Sequence, residues 1–275
     1  MLLHSELIDD IDGCALENDE FAVWWLGQHS FVLKHDEKIL YFDPFLADHS
    51  GRLVPSLLDA SEIKHADVIF GSHDHIDHID HDAWKQIAPL NKQTRFVVPE
   101  LLRDRLLEEL AIDPAQMVGL DDDLRIDIEG IHITGVASAH EFLDRDEATQ
   151  HFPYLGYIVD VNGLMAYHSG DTCIYEGIQQ KLRPRHFDVV FVPINGRDAV
   201  RLRSGCIGNM TYQEAADLCG AIEPDLIIPG HYGMFAANTI DPELFSEYMK
   251  VKYPDLQVCL CSPGTRHVFK RKQEE

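Results

Sequence analysis

The chain has 275 residues, of which 45% are hydrophobic, enough to bury a large core. Its 23 basic and 47 acidic side chains give a formal net charge of −24, which argues against nucleic acid as a partner. The first residues lack a basic start and a long apolar run, and no stretch approaches the roughly 20 apolar residues of a membrane span. We therefore expect a cytoplasmic protein that acts without a membrane partner.

In the first half of the chain, short apolar or β-branched runs alternate with turn residues, a pattern typical of strands. Two such runs flank Glu129-Gly130 and predict a hairpin. Pro99 favours the first turn of a helix. The predicted strands are 21–26, 30–34, 38–43, 66–71, 124–128 and 131–136, and the predicted helices are 81–90 and 99–110.

In the second half, the pattern of strands and helices repeats. Asn162-Gly163 separates two apolar runs and is a strong hairpin signal. Thr211 and Glu214 have the spacing of a capping box at the start of a helix. The predicted strands are 154–161, 164–168, 189–192, 226–228, 258–260 and 267–269, and the predicted helices are 174–182, 211–219 and 242–250.

Each half thus begins with strands and continues with alternating strands and helices, which predicts two sheets with helices outside. No linker, repeat or shift in composition divides the chain. We predict a single domain over residues 1–275, with a frayed polar tail at 270–275.

The six cysteines show no C-x-x-C pair and no repeated interval. Reduced thiols are the expectation for a protein without an export signal. Cys259 and Cys261 are two residues apart on a predicted strand, so their side chains should face the same side. We predict that both are core thiols.

A loop rich in histidine and aspartate, residues 72–81, directly follows the predicted buried strand 66–71. Imidazole and carboxylate are ligands of divalent metal ions. On a strand these side chains could not all point one way, whereas on a tight loop they can converge. The alternative is a solvated polar loop, but the H-x-H-x-D-H order at a strand end favours a metal site. The candidate ligands are His73, His75, Asp77 and His78.

Three later residues can complete a site with two metal ions. His140, Asp171 and His231 each follow a predicted strand and lie beside glycine or other small residues. Small neighbours allow the backbone to approach closely. As an ordered set behind the first loop, these residues are predicted to be further ligands.

This order of motifs resembles that of the metallo-β-lactamase superfamily over residues 21–235. The resemblance implies an α+β fold, a four-layer αββα sandwich with the site at one edge of the two sheets. It also implies two divalent ions, Mn²⁺ or Zn²⁺, and a metal-bound hydroxide as nucleophile, since a bound metal lowers the pKa of water to about 7. It places His73, His75 and His140 on one metal and Asp77, His78 and His231 on the other, with Asp171 bridging the two.

Within the superfamily, the chain resembles the L-ascorbate-6-phosphate lactonases. The likeness rests on the segments Trp24-Trp25-Leu26-Gly27, 72–80, 167–171 and Asn195-Gly196-Arg197. It implies a phosphorylated lactone or sugar ester as the small-molecule substrate, and a homo-oligomer. Asn195, Arg197 and Tyr232 are the candidate substrate ligands, Arg197 because guanidinium binds phosphate in a bidentate way. His140 departs from the lactonase pattern and favours two metal ions over one.

Other residues are predicted to assist the centre. We assign Asp77 and His168 to catalysis, with His168 either donating a proton to the leaving group or supporting a ligand. His29 and Asp43 are predicted to orient ligand imidazoles.

Two other functions remain as alternatives. A phosphodiesterase is the second hypothesis, since the same site could stabilise a pentacoordinate phosphorane with Arg197 assisting. The segment Gln28-His29-Ser30 resembles a motif of related hydrolases that include N-acyl-phosphatidylethanolamine phospholipase D. Oxygen chemistry or non-catalytic binding on the same fold is the third. It is disfavoured because His75 stands where flavodiiron proteins have glutamate, and because all seven ligand positions are filled.

Overall fold

Two seven-stranded β-sheets form the centre of the molecule, in a computed structural model that describes residues 2–272. The first sheet contains β1 (Glu20–Gly27), β2 (Ser30–His35), β3 (Lys38–Phe42), β4 (Val68–Phe70), β5 (Arg95–Pro99), β6 (Met117–Leu120) and β14 (Arg266–Lys270). The second sheet contains β7 (Arg125–Ile128), β8 (Ile131–Ala137), β9 (Leu155–Val161), β10 (Leu164–His168), β11 (Val189–Pro193), β12 (Leu226–Gly230) and β13 (Gln257–Val258). The strand orders are β14-β1-β2-β3-β4-β5-β6 and β13-β12-β11-β10-β9-β8-β7.

Helices cover the outer faces of both sheets. They are α1 (Ser5–Asp12), α2 (His81–Ile87), α3 (Glu100–Leu110), α4 (Ile178–Leu182), α6 (Tyr212–Ile222) and α7 (Pro242–Lys252), with a short 3₁₀ turn at Ala60–Glu62. A further short helix, α5 (Ala199–Arg203), has no buried residue. The predicted capping box is confirmed: Thr211 accepts from the Glu214 amide, and the Glu214 carboxylate accepts from the Thr211 amide. Among the described residues, no helix is both long and apolar enough to cross a membrane.

The side chains of β1 show how the layers pack. Phe21, Val23 and Trp25 belong to the core that lies between the sheets, and this core extends to α6 and α7. The alternate residues Ala22 and Trp24 belong to a second core, which includes side chains of α1, α2 and α3. Both faces of β1 are therefore buried, and the predicted four-layer αββα sandwich is confirmed.

Strand direction brings the functional loops to one edge. In the first sheet β3, β4, β5 and β6 are parallel, and β1 points the same way because two antiparallel pairings relate it to β3. In the second sheet β10, β11 and β12 are parallel, and β8 points with them for the same reason. The loops that follow β1, β3 and β4 thus leave one edge of their sheet. Those that follow β8, β10 and β12 likewise leave one edge of the other sheet.

Several elements differ from the sequence prediction. The helices α1 and α5 and the strands β5 and β6 were not predicted. The predicted helix 174–182 begins only at Ile178, because Gly177 adopts φ +104°, which is incompatible with a helix. Pro99 ends β5 and occupies the N-cap position of α3 instead of lying in its first turn.

The C-terminal region also differs. The predicted strand 258–260 ends at Val258, so both thiols lie beyond β13. Lys270, predicted to lie in a frayed tail, is the last residue of β14, and the Arg271 guanidinium pairs with Asp188 at 3.1 Å. Residues 273–275 of the predicted tail lie outside the described residues.

Candidate metal centre

The predicted metal ligands converge where the strands of the two sheets end. They form three groups, and within each group the ligand atoms lie within 4.8 Å of one another. The groups are His73 with His75 and His140, Asp77 with His78 and His231, and His73 with His78 and Asp171. The first two groups have the same members as the two ligand sets that the superfamily resemblance implies.

Asp171 lies between the two sets. Its Oδ2 atom is 3.0 Å from His231 Nε2, 3.4 Å from His78 Nε2 and 3.9 Å from His140 Nε2. One carboxylate oxygen therefore faces imidazoles of both sets, which is the position that a bridging ligand needs.

Four buried atoms of this cluster have no hydrogen-bond partner among the described residues: His78 Nε2, His140 Nδ1, Asp171 Oδ1 and His231 Nδ1. A buried polar atom without a partner is costly, and here each orphaned atom is also a potential metal ligand. This observation, together with a donor set of imidazoles and carboxylates, shows that the residues fit a centre for divalent cations. Both Mn²⁺ and Zn²⁺ accept such donors.

The electrostatics of the cluster suit metal binding, which requires neutral imidazoles and ionised carboxylates. Burial lowers the pKa of His73 well below its usual value and that of His140 to about 4. Burial alone would raise the pKa of Asp171, but the charges of His231 and His78 hold it well below its ordinary value. His73, His140 and Asp171 are thus in their binding protonation states near neutral pH.

Backbone conformation determines the direction of two of these side chains. Gly170 adopts φ +59°, and a Cβ atom there would lie 2.5 Å from the Leu155 carbonyl oxygen, so the turn that presents Asp171 requires glycine. His231 also has a positive φ of 58°, which is uncommon for histidine. Its amide donates to the Gln28 carbonyl oxygen at 2.7 Å, which holds the residue in this conformation.

Asp43 is fully buried directly beneath the first ligand loop. It accepts hydrogen bonds from the Ser72 amide at 2.7 Å and the Ser72 hydroxyl at 2.6 Å. Its Oδ2 is also 2.6 Å from His78 Nδ1, so Asp43 can fix the ring with Nε2 facing the cluster. Although burial lowers the pKa of His78, the carboxylates of Asp171, Asp77 and Asp43 together raise it well above its usual value. These contacts fit the predicted orienting role of Asp43.

Replacing Asp43 with asparagine should weaken metal binding about 10- to 100-fold, because the variant loses the charge that orients His78. Asparagine suits this position, since the backbone φ is +46° and asparagine tolerates that region. The affinity is measured by competition with a chromogenic chelator. Asp67→Asn is the matched control, since Asp67 accepts from the Ile39 amide at 2.8 Å at the other end of β3 and β4. Equal metal affinity in Asp43→Asn and wild type would refute the orienting role.

Gln28 is a site residue that the sequence prediction did not single out. Its side chain is buried, and its amide Nε2 lies 2.8 Å from Asp77 Oδ2 and 3.2 Å from His231 Nε2. Gln28 thus contacts two predicted ligands of the same metal. The available signal was its place directly after β1, at the edge where the ligand loops begin.

His29 and His168 lie next to each other beside the ligand cluster, with ring centroids 4.2 Å apart. His168 Nε2 is 2.9 Å from the His29 carbonyl oxygen, and its Nδ1 accepts from the Gly170 amide at 3.3 Å. Both ring nitrogens are therefore engaged, which favours holding the turn before Asp171 over the predicted proton donation. The His29 ring centroid lies 6.2 Å from that of His231, and neither His29 ring nitrogen has a hydrogen-bond partner among the described residues, so its orienting role stays a prediction.

Arg197, the predicted phosphate ligand, forms a bidentate ion pair with Glu214. Nη1 donates to Oε2 at 2.5 Å and Nη2 donates to Oε1 at 2.7 Å. Nη1 also donates to the Asn209 carbonyl oxygen. The Arg197 side chain is 39% exposed, so a substrate can reach it but must compete with Glu214. Phosphate binding by Arg197 stays a prediction.

The other two predicted substrate ligands are buried. The Asn195 amide donates to Asn238 Oδ1 at 2.8 Å, and the Asn195 backbone carbonyl accepts from Arg201. Tyr232 packs against Trp25, with ring centroids 4.6 Å apart, and burial raises its pKa. Their substrate contacts stay predictions. Tyr232 directly follows His231, so its packing against Trp25 supports the backbone that presents His231.

Comparison with known proteins identifies the class to which this fold and cluster belong. The model of the beta-lactamase superfamily domain matches residues 22–231, and the chain belongs to that family. The chain is also similar to a UPF0173 metal-dependent hydrolase of Archaeoglobus fulgidus. The two are 28% identical over 253 residues, which are 90% of this chain and 99% of the relative.

Solved structures share the fold. The metallo hydrolase Igni18 of Ignicoccus hospitalis gives a TM-score of 0.69 at 18% identity, covering 92% of this chain and 100% of the other. An isothiocyanate hydrolase from Delia radicum gut bacteria gives a TM-score of 0.70 at 15% identity, covering 90% and 99%. At these identities the likeness is one of fold.

Proposed function

We propose that this protein is a metal-dependent hydrolase that activates water on two divalent cations. The observation that carries the proposal is the buried cluster of imidazoles and carboxylates, in two sets joined by Asp171. The similarity to the UPF0173 metal-dependent hydrolases supports it.

When bound, the two cations supply a hydroxide at neutral pH and polarise the bond to be cleaved. His73, His75 and His140 would hold one ion, and Asp77, His78 and His231 the other, with Asp171 between them. The chain's own residues set the geometry. Asp43 fixes the His78 ring, and Gln28 holds the Asp77 carboxylate.

Asp77 is the carboxylate of the centre that is most open to solvent. Its side chain is 17% exposed, compared with 4% for Asp171. Burial tends to raise its pKa, but His78 and His231 lower it, so Asp77 is ionised at neutral pH. A partly exposed, ionised carboxylate at this point can accept a hydrogen bond from the attacking water and orient it. This supports the proposed catalytic role of Asp77.

Removing the metal should abolish hydrolysis. We expect protein purified without chelator to carry about two equivalents of Mn or Zn in these two ligand sets. Dialysis against a chelator should remove both the metal and the hydrolysis of activated esters, and adding Mn²⁺ or Zn²⁺ should restore activity. Circular dichroism checks that the metal-free protein is still folded. Full activity in folded, metal-free protein would refute the proposal.

For the substrate, we propose a phosphorylated lactone or sugar ester, with Arg197 binding the phosphate. The position of the Arg197 loop supports this. The Met210 amide donates to the carbonyl oxygen of Thr172, the residue after Asp171, and the Cys173 thiol donates to Gly208. The loop therefore borders the metal centre.

Arg197→Ala should raise KM for a phosphorylated substrate roughly 10- to 100-fold, the effect of losing a hydrogen bond to a charged group. KM for an unphosphorylated ester should not change. Val200→Ala is the control, since Val200 is 67% exposed on α5, three residues after Arg197. An unchanged KM for both substrates would show that Arg197 serves only to hold Glu214.

A second candidate is a phosphodiester or ester that carries an apolar group. It is favoured by apolar side chains exposed on the ligand loops: Ile76 is 54% exposed, Phe142 66% and Ile174 36%. Each lies within three residues of a proposed ligand. Exposed apolar groups beside a site are typical of ligand contacts. Ranking kcat/KM for phosphorylated lactones, bis-p-nitrophenyl phosphate and esters of increasing acyl length separates the two candidates.

A further inference from the structure

Away from the metal centre, three further metal-ligating side chains meet. Cys259 and Cys261 follow β13, and His267 lies on β14. The two sulfur atoms are 3.7 Å apart, and Cys259 Sγ is 3.8 Å from His267 Nδ1. All three ligand atoms lie within 4.8 Å of one another. This cluster contains soft sulfur donors, whereas the metal centre contains only nitrogen and oxygen donors.

The backbone fixes the cluster from both sides. The Cys259 amide donates to the Ile227 carbonyl oxygen at 2.9 Å, which extends the pairing of β13 with β12. The Gly264 amide donates to the Trp25 carbonyl oxygen at 2.9 Å, and His267 then pairs with Val23 of β1. The connection between the two strands is therefore held at each end, and the three side chains are brought together by ordered backbone.

The distances match those of a tetrahedral zinc site. With Zn–S bonds of about 2.3 Å, two thiolates of a tetrahedron lie about 3.8 Å apart, and a thiolate and an imidazole nitrogen about 3.6 Å. The observed separations of 3.7 Å and 3.8 Å are close to these values. A disulfide needs a sulfur separation of about 2.05 Å, so the two thiols are not placed as a bonded pair.

We propose that Cys259, Cys261 and His267 bind one zinc ion, separate from the metal centre. Two thiolates and an imidazole select Zn²⁺ over the harder cations Mn²⁺ and Mg²⁺. Cys261 is buried, whereas Cys259 and His267 are partly exposed, which leaves an entry path and room for water as the fourth ligand.

The position of the site indicates a structural role. β13 is the edge strand of the second sheet, and β14 is the edge strand of the first. An ion held by Cys259 and Cys261 on one side and His267 on the other would join the two sheets at this edge. Zinc should therefore raise the melting temperature of the protein.

Cobalt spectroscopy tests the site, because Co²⁺ bound to thiolate gives a charge-transfer band in the near ultraviolet that nitrogen and oxygen ligands do not. Chelator-treated, reduced protein titrated with Co²⁺ should show this band. Cys261→Ser and His267→Asn should each weaken or abolish it and lower the zinc content by about one equivalent. Two controls should retain the band: Cys206→Ser, which removes a partly exposed thiol outside the cluster, and Asp171→Asn, which alters only the metal centre.

A wild-type protein without the band, or with equal zinc content in wild type and Cys261→Ser, would overturn the proposal. So would a thiol titration of freshly purified, denatured protein showing that Cys259 and Cys261 are joined by a disulfide. If Cys261→Ser does not fold, His267→Asn provides the same comparison with both thiols intact. Because the band is read in Asp171→Asn as well, failure of this site and failure of the proposed hydrolase are distinguishable.

Discussion

Asp171→Asn should lower kcat/KM by about a thousandfold or more while the protein stays folded. A bridging carboxylate supplies charge to both cations, and its loss should cost about 4 kcal/mol of transition-state stabilisation. Asp171 is almost fully buried, and its Oδ2 faces His231, His78 and His140. Asparagine has the same shape and none of the charge, so the variant tests the charge alone. The measurements are steady-state kinetics and metal content on the same preparations.

Asp74→Asn is the matched control for this variant. Asp74 belongs to the first ligand loop, but its carboxylate pairs with Arg105 and His81 instead of the cluster. We expect Asp74→Asn to retain its metal and most of its activity, with a modest loss of stability. If Asp171→Asn kept full metal content and wild-type kcat/KM, Asp171 would not bridge the ions, and the two ligand sets would act independently.

The sequence identified the metal cluster because each ligand stands at a strand end. In this fold the strands that precede the ligand loops end at a common edge, so residues as distant along the chain as His73 and His231 become neighbours. The loop 72–81 also combines residue types that seldom occur together without a metal. Each motif is local, whereas the division of the ligands into two sets followed from the resemblance to the superfamily.

The residues that support the cluster were harder to predict. Gln28 and Ser72 are ordinary polar residues whose roles depend on contacts with Asp77 and Asp43, which lie 49 and 29 residues away in the chain. Arg197 shows the opposite case. The sequence makes it an attractive phosphate ligand, but Glu214 fits both as the helix cap and as the partner of its guanidinium.

Strands and helices were missed where tertiary contacts decide the conformation. β6 has four residues, including Gly119, and too short a pattern to distinguish it from a loop; its pairing with β5 defines it. α5 has no buried residue and is held by Asp198, whose side chain caps its first turn. Such elements depend on neighbours that the local sequence does not reveal.

His140→Ala should remove one metal ion and leave the other. His140 Nε2 lies 3.3 Å from His75 Nδ1, in the ligand set that does not include Asp77. Without His140, one ion keeps only His73, His75 and the bridging carboxylate, whereas the ligands of the other ion are unchanged. We expect metal content to fall by about one equivalent and kcat/KM to fall about a hundredfold, since the second cation no longer polarises the substrate.

His132→Ala provides the control for this experiment. His132 lies at the start of β8, whereas His140 follows its end, and its ring pairs with Asp127 at 2.8 Å on the protein surface. Its removal should change neither metal content nor kinetics. A His140→Ala protein that retained both ions would show that His140 is not a ligand. Loss of both ions would instead show that the two sets bind cooperatively through Asp171. Retention of one ion with residual activity would show that an ion held by Asp77, His78, His231 and Asp171 is sufficient for some hydrolysis. His140 would then be needed only to bind the second cation.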